Sequence, residues 1–125
     1  MNDTATEAQR PSVLLVEDDV LLRLVTAEDL RGAGLNVIEA SNADEAMTIL
    51  DSAVPIDLVL TDIRMPGSMD GLALAAFVRQ RWPELKIMVA SGERPAQAAL
   101  AVADAFLPKP YDSTAILARL KTLMG

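Results

Sequence analysis

The chain has 125 residues, enough for one domain with a real core, and its 51% hydrophobic content is almost wholly aliphatic, since only Phe77, Trp82, Phe106 and Tyr111 are aromatic. It has neither cysteine nor histidine, which excludes disulfides, thiolate nucleophiles, histidine general bases and zinc sites of the usual kinds; any metal must be a hard cation held by oxygens. A formal charge of −7 argues against non-specific nucleic-acid binding, no stretch approaches the roughly 18 apolar residues of a membrane span, and the polar start is unlike a signal peptide, so a cytoplasmic protein partnered by neither nucleic acid nor membrane is expected.

Residues 1–11 are polar without apolar periodicity and read as a flexible lead-in, with 12–125 forming one domain. Val13-Leu14-Leu15-Val16 is a buried first strand that runs into Glu17-Asp18-Asp19. Residues 20–33 carry helical spacing and Gly34 stops them; a core face through Leu22, Val25, Leu30 and Ala33 is predicted, with Asp29 an awkward neighbour. One stripe cannot hold every apolar residue there, so Val20, Leu21 and Leu24 are expected to be exposed beside the acidic cluster.

Residues 35–40 form the second strand, and Asn42-Ala-Asp-Glu45 is a capping box opening a helix to about Ala53. Leu58-Val59-Leu60 has the length and character of a strand buried on both faces; it ends in Thr61-Asp62, before a Met-Pro-Gly breaker. Asp70-Gly71 leads into a helix that Trp82-Pro83 ends. Residues 86–90 are the fourth strand, closed by Ser91-Gly92, and a short alanine-rich helix spans 95–103. Ala105-Phe106-Leu107, followed by Pro108-Lys109-Pro110, suits an edge strand. Asp112 caps a last helix whose Ile116, Leu117, Leu120 and Leu123 face inward.

Five strands alternating with five helices predict a doubly wound, flavodoxin-like (βα)5 domain with a parallel sheet in the order 2-1-3-4-5. The first and third strands then meet at the topological switch point, which places Glu17 and Asp18 beside Asp62, and the last two strand ends bring Ser91 and Lys109 to the same edge. Three carboxylates within about 5 Å would repel by roughly 3 kcal/mol per pair at an effective dielectric of 20, so a cation is expected to offset them, and Mg²⁺ suits such oxygens. Taken singly, each residue has a plainer reading: Asp62 a turn cap, the acids a solvated helix start, Lys109 a surface lysine, Ser91 a turn residue, Phe106 core. Together, a carboxylate nucleophile, a cation, a lysine and a hydroxyl make a phosphoryl-accepting site.

These motifs resemble the receiver domain of response regulators in two-component signalling, of the stand-alone type: Val-Glu17-Asp18-Asp, Asp62-Ile-Arg-Met-Pro-Gly, Ser91-Gly and Lys109-Pro110 each follow a strand, and the likeness covers about residues 12–124. The resemblance implies that Asp62 accepts a phosphoryl group from a sensor histidine kinase or a histidine phosphotransfer protein. Glu17, Asp18, Asp62 and the backbone carbonyl of Arg64 would hold Mg²⁺ or Mn²⁺. Lys109 and Ser91 would bind the phosphoryl group, Ser91 and Phe106 would form the switch pair, and Lys109-Pro110 is a candidate cis peptide. Val20, Leu21 and Leu24 are the expected docking surface for the phosphodonor, and the downstream partner is an unknown protein.

Three departures from the family pattern stand out. The loop Gly67-Ser68-Met69-Asp70-Gly71 is one residue longer than usual, the interval from Ser91 to Lys109 is several residues short and implies a curtailed fourth helix, and Ala90 would leave the switch position without a hydroxyl if the strand ended one residue earlier. Arg64 stands two residues after Asp62, where an aspartate-nucleophile phosphatase needs an acid/base carboxylate; that alternative enzyme is disfavoured, and Arg64 is expected to modulate acyl-phosphate lifetime. The acidic pair, Asp62 and Lys109 argue against a non-phosphorylated pseudo-receiver, and strand one lacks the glycine-rich loop of a nucleotide-binding fold. With no output domain in view, output by protein contact or onward phosphotransfer is expected.

Overall fold

The computed structural model describes residues 10–65, 69–92 and 97–124. Strands and helices alternate as β1 (Ser12–Val16), α1 (Val20–Gly32), β2 (Asn36–Ala40), α2 (Ala43–Asp51), β3 (Leu58–Asp62), α3 (Gly71–Arg81), β4 (Lys86–Ser91), α4 (Gln97–Val102), β5 (Ala105–Pro108) and α5 (Ser113–Met124). The strands form one parallel sheet in the order β2-β1-β3-β4-β5, as the alternation of apolar runs predicts.

The central strands are covered on both faces, which explains their unbroken aliphatic runs. Leu14, Val16, Val59, Ile87 and Val89 pack with Ala46, Leu50, Leu74 and Val78 of α2 and α3. The alternate residues Val13, Leu15, Leu58, Leu60, Met88 and Leu107 pack with Ala27, Leu30, Ile116 and Leu120 of α1 and α5. Each of the large side chains buried here contributes about 1.5–3 kcal/mol relative to exposure. The pairing Val16 with Thr61, Asp62 with Ala90, and Ser91 with Pro108 aligns the carboxyl ends of four strands. That alignment builds the site.

Local signals set the helix ends. Asp19, Asn42 and Asp70 cap α1, α2 and α3, accepting hydrogen bonds from the amides of Leu22 (3.0 Å), Glu45 (2.8 Å) and Ala73 (2.8 Å). The Glu45 carboxylate reaches back to the Ser41 amide at 2.7 Å, one residue before the cap. α2 stops at Asp51, short of the expected Ala53, which takes a positive φ of 65°. Gly34 adopts φ 96° just past α1, the left-handed conformation that glycine tolerates.

The inward face of α1 differs from the one its apolar spacing predicts. Leu22 and Val25 are 40% and 59% exposed and Ala33 is exposed too; of the expected face Leu30 is buried, and Ala27 is buried beside it. The stripe turned toward the sheet is Arg23, Thr26, Ala27 and Leu30, polar at its start because that end borders the acidic turn. Asp29 lies outside this stripe and accepts a hydrogen bond from the Ser113 amide at 2.8 Å, tying α1 to the start of α5.

α4 is six residues long, in keeping with the short interval that precedes Lys109. The expected start of this helix at Pro95, the extra residue at Gly67-Ser68 and most of the N-terminal lead-in lie outside the described residues. Of that lead-in, Arg10 and Pro11 are joined to β2, their carbonyls accepting hydrogen bonds from the Asn36 side chain (3.3 Å) and amide (3.0 Å). No described helix is long and apolar enough to cross a membrane.

Candidate functional site

The acidic turn after β1 is held by its own backbone. The Glu17 amide donates to the Ala40 carbonyl at 3.0 Å, extending the β1–β2 pairing by one bond. The Glu17 side chain turns inward, with the residue 4% exposed, and accepts a hydrogen bond from the Asp19 amide at 3.2 Å. Burial raises the Glu17 pKa above the ordinary carboxylate value, and the nearby Asp62 and Asp18 carboxyls push the same way; the Asp19 amide and Lys109 oppose them. Asp18 lies within hydrogen-bonding reach of Glu17 and is exposed. Asp19 caps α1, its carboxylate accepting from the Leu22 amide.

Asp62 ends β3 with its side chain 16% exposed. One carboxylate oxygen accepts a hydrogen bond from the Arg64 amide at 3.3 Å, and the other is in close contact with the Lys109 ammonium. That ammonium also stands 3.8 Å from the Glu17 carboxylate, a gross attraction of roughly 4 kcal/mol at an effective dielectric of 20. Lys109 therefore bridges the acids from two strand ends. It is aimed by its backbone, whose amide donates to the Ser91 carbonyl at 2.9 Å, and it is followed by a cis peptide to Pro110, as expected.

Among the described residues, no three aspartate, glutamate, histidine or cysteine side chains stand together at metal-binding spacing. The close trio of carboxylates expected from the sequence is a Glu17–Asp18 pair, with Asp62 turned onto Lys109. The donors at this edge are all oxygens, the chemistry a hard cation requires.

Ser91 is the last residue of β4 and 7% exposed, so the hydroxyl stands at the strand end as expected and Ala90 lies one step deeper. Phe106 is half-buried in β5 and packs against the α2–α3 side of the core. Val20, Leu21 and Leu24 are 59%, 72% and 48% exposed at the start of α1. Beside them, Leu22 and Thr26 join Lys109, Pro110 and Tyr111 around a recess of about 310 Å³.

Several residues at this edge escape a sequence reading. The backbone of Gly71 packs directly on Asp62: a Cβ there would stand 1.6 Å from the Asp62 carbonyl oxygen. The Asp-Gly pair at a helix start was the visible signal, though it equally suits a simple turn. Thr61 is buried and its hydroxyl donates to the Asp62 carbonyl at 3.0 Å. Tyr111 is hydrogen-bonded to Thr26, and its pKa is pushed up to about 12, first by burial and then by the Glu17 and Asp62 charges. Arg23 donates to the Glu17 carbonyl at 3.0 Å.

A family model described as the response regulator receiver domain matches residues 13–121. The chain is 41% identical over 108 residues to the DNA-binding transcriptional regulator NtrC of Salmonella typhimurium, a match covering 83% of this chain and 23% of that protein. It is 34% identical over 118 residues to the sensor kinase CckA of Brucella abortus, covering 90% of this chain and 12% of the other. Among solved structures, the response regulator protein TrrA of Thermotoga maritima in complex with Mg²⁺-BeF superposes with a TM-score of 0.82 at 27% identity, over 90% of this chain and 98% of that one. The chain thus spans under a quarter of the length of these two curated relatives.

Proposed function

The chain belongs to the response regulator receiver domain family, a family of signalling switches rather than of classical enzymes, and from that premise we propose that Asp62 is its phosphoacceptor. The observation that carries this reading is the Lys109 ammonium set on the Asp62 carboxylate at the switch-point edge, with the Glu17–Asp18 pair beside it. In the proposed step an Asp62 oxygen attacks the phosphorus of a phosphohistidine on a sensor kinase or phosphotransfer protein. A P–O bond forms and the P–N bond breaks, its electron pair leaving with the imidazole nitrogen.

Glu17, Asp18, Asp62 and the Arg64 backbone carbonyl would hold Mg²⁺ or Mn²⁺, which when bound supplies charge neutralisation for the phosphoryl oxygens. Lys109, already in contact with Asp62, keeps its charge against the transferred group. Ser91 and Phe106 are assigned as the switch pair. Val20, Leu21 and Leu24 are assigned as the surface that meets the phosphodonor, by their exposure beside the acidic turn. The receiver unit is assigned to residues 12–125, working in the cytoplasm through protein partners. The chain matches 23% of a DNA-binding transcriptional regulator and 12% of a sensor kinase, which supports reading it as a unit used in proteins of different output.

Arg64 stands where a phosphatase of this chemistry needs a carboxylate, which favours a lasting phosphoryl-aspartate over turnover. Arg64→Glu is expected to shorten the acyl-phosphate lifetime severalfold in a dephosphorylation time course, and an unchanged lifetime counts against the assignment. The main test is intact mass after incubation with a small acyl-phosphate donor and Mg²⁺. One phosphoryl group is expected on the wild type and none on Asp62→Asn; label that survives the substitution, or never arrives, defeats the reading.

A further inference from the structure

Four of the contacts around the acidic turn form one chain of side chains. Arg31 of α1 pairs with Glu39 of β2 at 3.2 Å and donates to the Val37 carbonyl at 2.9 Å. The other oxygen of Glu39 receives the Arg23 Nε at 3.3 Å, and the Arg23 Nη1 donates to the carbonyl of Glu17 at 3.0 Å. We propose that Arg23 is a positioning residue for the cation site, holding the Glu17–Asp18 turn in its binding geometry while Glu39 and Arg31 hold Arg23. The inference rests on the reading of Glu17 and Asp18 as cation ligands.

Three observations carry it. The Arg23 side chain is only 16% exposed and points toward the sheet from a helix whose leucines and valines at this end point out, so an apolar position has been given over to a cation. Its planar fork is divided between a carboxylate and a backbone carbonyl, a geometry that lysine's single point of charge does not reproduce. The carbonyl it grips belongs to the residue whose side chain and successor supply the two acids. With Glu17 held at its amide by Ala40 and at its carbonyl by Arg23, the turn is fixed on both sides.

Outer partners of metal ligands typically shift affinity by about 10–100-fold when removed. Titration calorimetry of the unphosphorylated protein with MgCl₂ alone reads the effect without any turnover. Arg23→Gln is expected to raise the Mg²⁺ Kd about tenfold, Arg23→Lys to recover only part of that loss, and Glu39→Gln, which leaves Arg23 in place but unaimed, to raise Kd about threefold. In the acyl-phosphate reaction the same variants should raise the Mg²⁺ concentration needed for half-maximal rate more than they lower the maximal rate. Arg79→Gln is the structural control: Arg79 makes at least as many hydrogen bonds at the opposite end of the sheet, to the carbonyls of Val102, Pro83 and Leu85 and to Asp104. Its loss should lower thermal stability and leave Kd within twofold. An Arg23→Gln protein that binds Mg²⁺ as the wild type does, or more tightly, overturns the inference, and so does an equal loss in Arg79→Gln. If the wild type itself binds no Mg²⁺, the assignment of Glu17 and Asp18 fails first, and the two failures are told apart by that one titration. Should Arg23→Gln not fold, the Glu39→Gln arm decides alone.

Discussion

Replacing Gly71 with alanine tests how the phosphoacceptor strand is held. A Cβ at this position would stand 1.6 Å from the Asp62 carbonyl oxygen, 2.7 Å from its carbon and 3.0 Å from the Ile63 Cα. All three are backbone atoms, so no side chain can rotate away, and the gap must open by roughly 1.4 Å to reach the shortest contact a real Cβ tolerates. Opening it strains or breaks the hydrogen bond that the Gly71 amide donates to the Ile63 carbonyl, now 2.9 Å, and drags on Leu74 and Ala75, both fully buried one turn later. Overpacking of about 1–3 kcal/mol plus a lost hydrogen bond of about 1 kcal/mol, against up to about 1 kcal/mol of helix propensity gained, leaves a net loss of about 1–3 kcal/mol. Thermal and urea denaturation should therefore place Gly71→Ala about 4–12 °C and about 1–3 kcal/mol below the wild type. Because the displaced atoms belong to Asp62, labelling by an acyl-phosphate donor should also slow. Gly32→Ala is the comparison: its Cβ meets nothing within 4 Å in α1, and the change should be neutral or stabilising. A Gly71→Ala protein as stable as the wild type, with unchanged labelling, would refute the close approach.

The other predictions read different parts of the molecule. The chain has a single tyrosine, so absorbance near 295 nm on alkaline titration reports Tyr111 alone, and its midpoint should fall near pH 12. The raised value means that its contribution to stability is complete below about pH 10 and is lost as pH rises toward 12; Tyr111→Phe should flatten that part of the stability curve. Arg79→Met should cost about 2 kcal/mol in urea denaturation, since it leaves Asp104 and three carbonyls without their shared donor, while Asp62 labelling from a small donor stays unchanged. Leu21→Lys with Leu24→Glu should change stability by under about 0.5 kcal/mol because both are exposed, and should slow transfer from the cognate kinase but not from an acyl-phosphate donor. Equal transfer from both donors would remove these leucines from the docking surface.

The strands, their order and the residues at their ends were legible because each rests on a strong local pattern. An aliphatic run that stops at a charge or a breaker marks a buried strand and its carboxyl end, and Glu17, Asp62, Ser91 and Lys109 all sit at such stops. The edge position of β5 followed from its flanking prolines for the same reason. What stayed hidden depends on partners distant in the chain. Arg23 meets Glu39 sixteen residues on, and Lys109 meets Asp62 forty-seven residues back, so charge spacing alone could not say which acids were paired. Gly71 read only as part of a helix start because the atoms that forbid its Cβ belong to another strand end. The pattern brought three acids and a lysine to one edge; that the Lys109 ammonium lies on Asp62 and 3.8 Å from Glu17 took the fold to show.

α1 shows why the hydrophobic pattern misleads next to a polar site. Its spacing admits a face through Leu22 and Val25, and burying that face would have removed more apolar area from water than burying Arg23 and Thr26. The observed register instead turns Arg23 to the Glu17 carbonyl and Thr26 to the Tyr111 hydroxyl, and keeps only Ala27 and Leu30 for the core. Two constraints select it. The Asp19 cap fixes where the helix begins, directly after the acidic turn, and the buried Glu17 carbonyl at that edge needs a donor that no leucine can provide. The cost is a run of exposed apolar residues, Val20, Leu21, Leu22, Leu24 and Val25, at the same end of the helix. The inward polar face and the outward apolar face are therefore one choice of register. A substitution that rotates α1 to bury its leucines should withdraw Arg23 and Thr26 from the site at the same time, coupling the loss of the apolar surface to a loosening of the acidic turn.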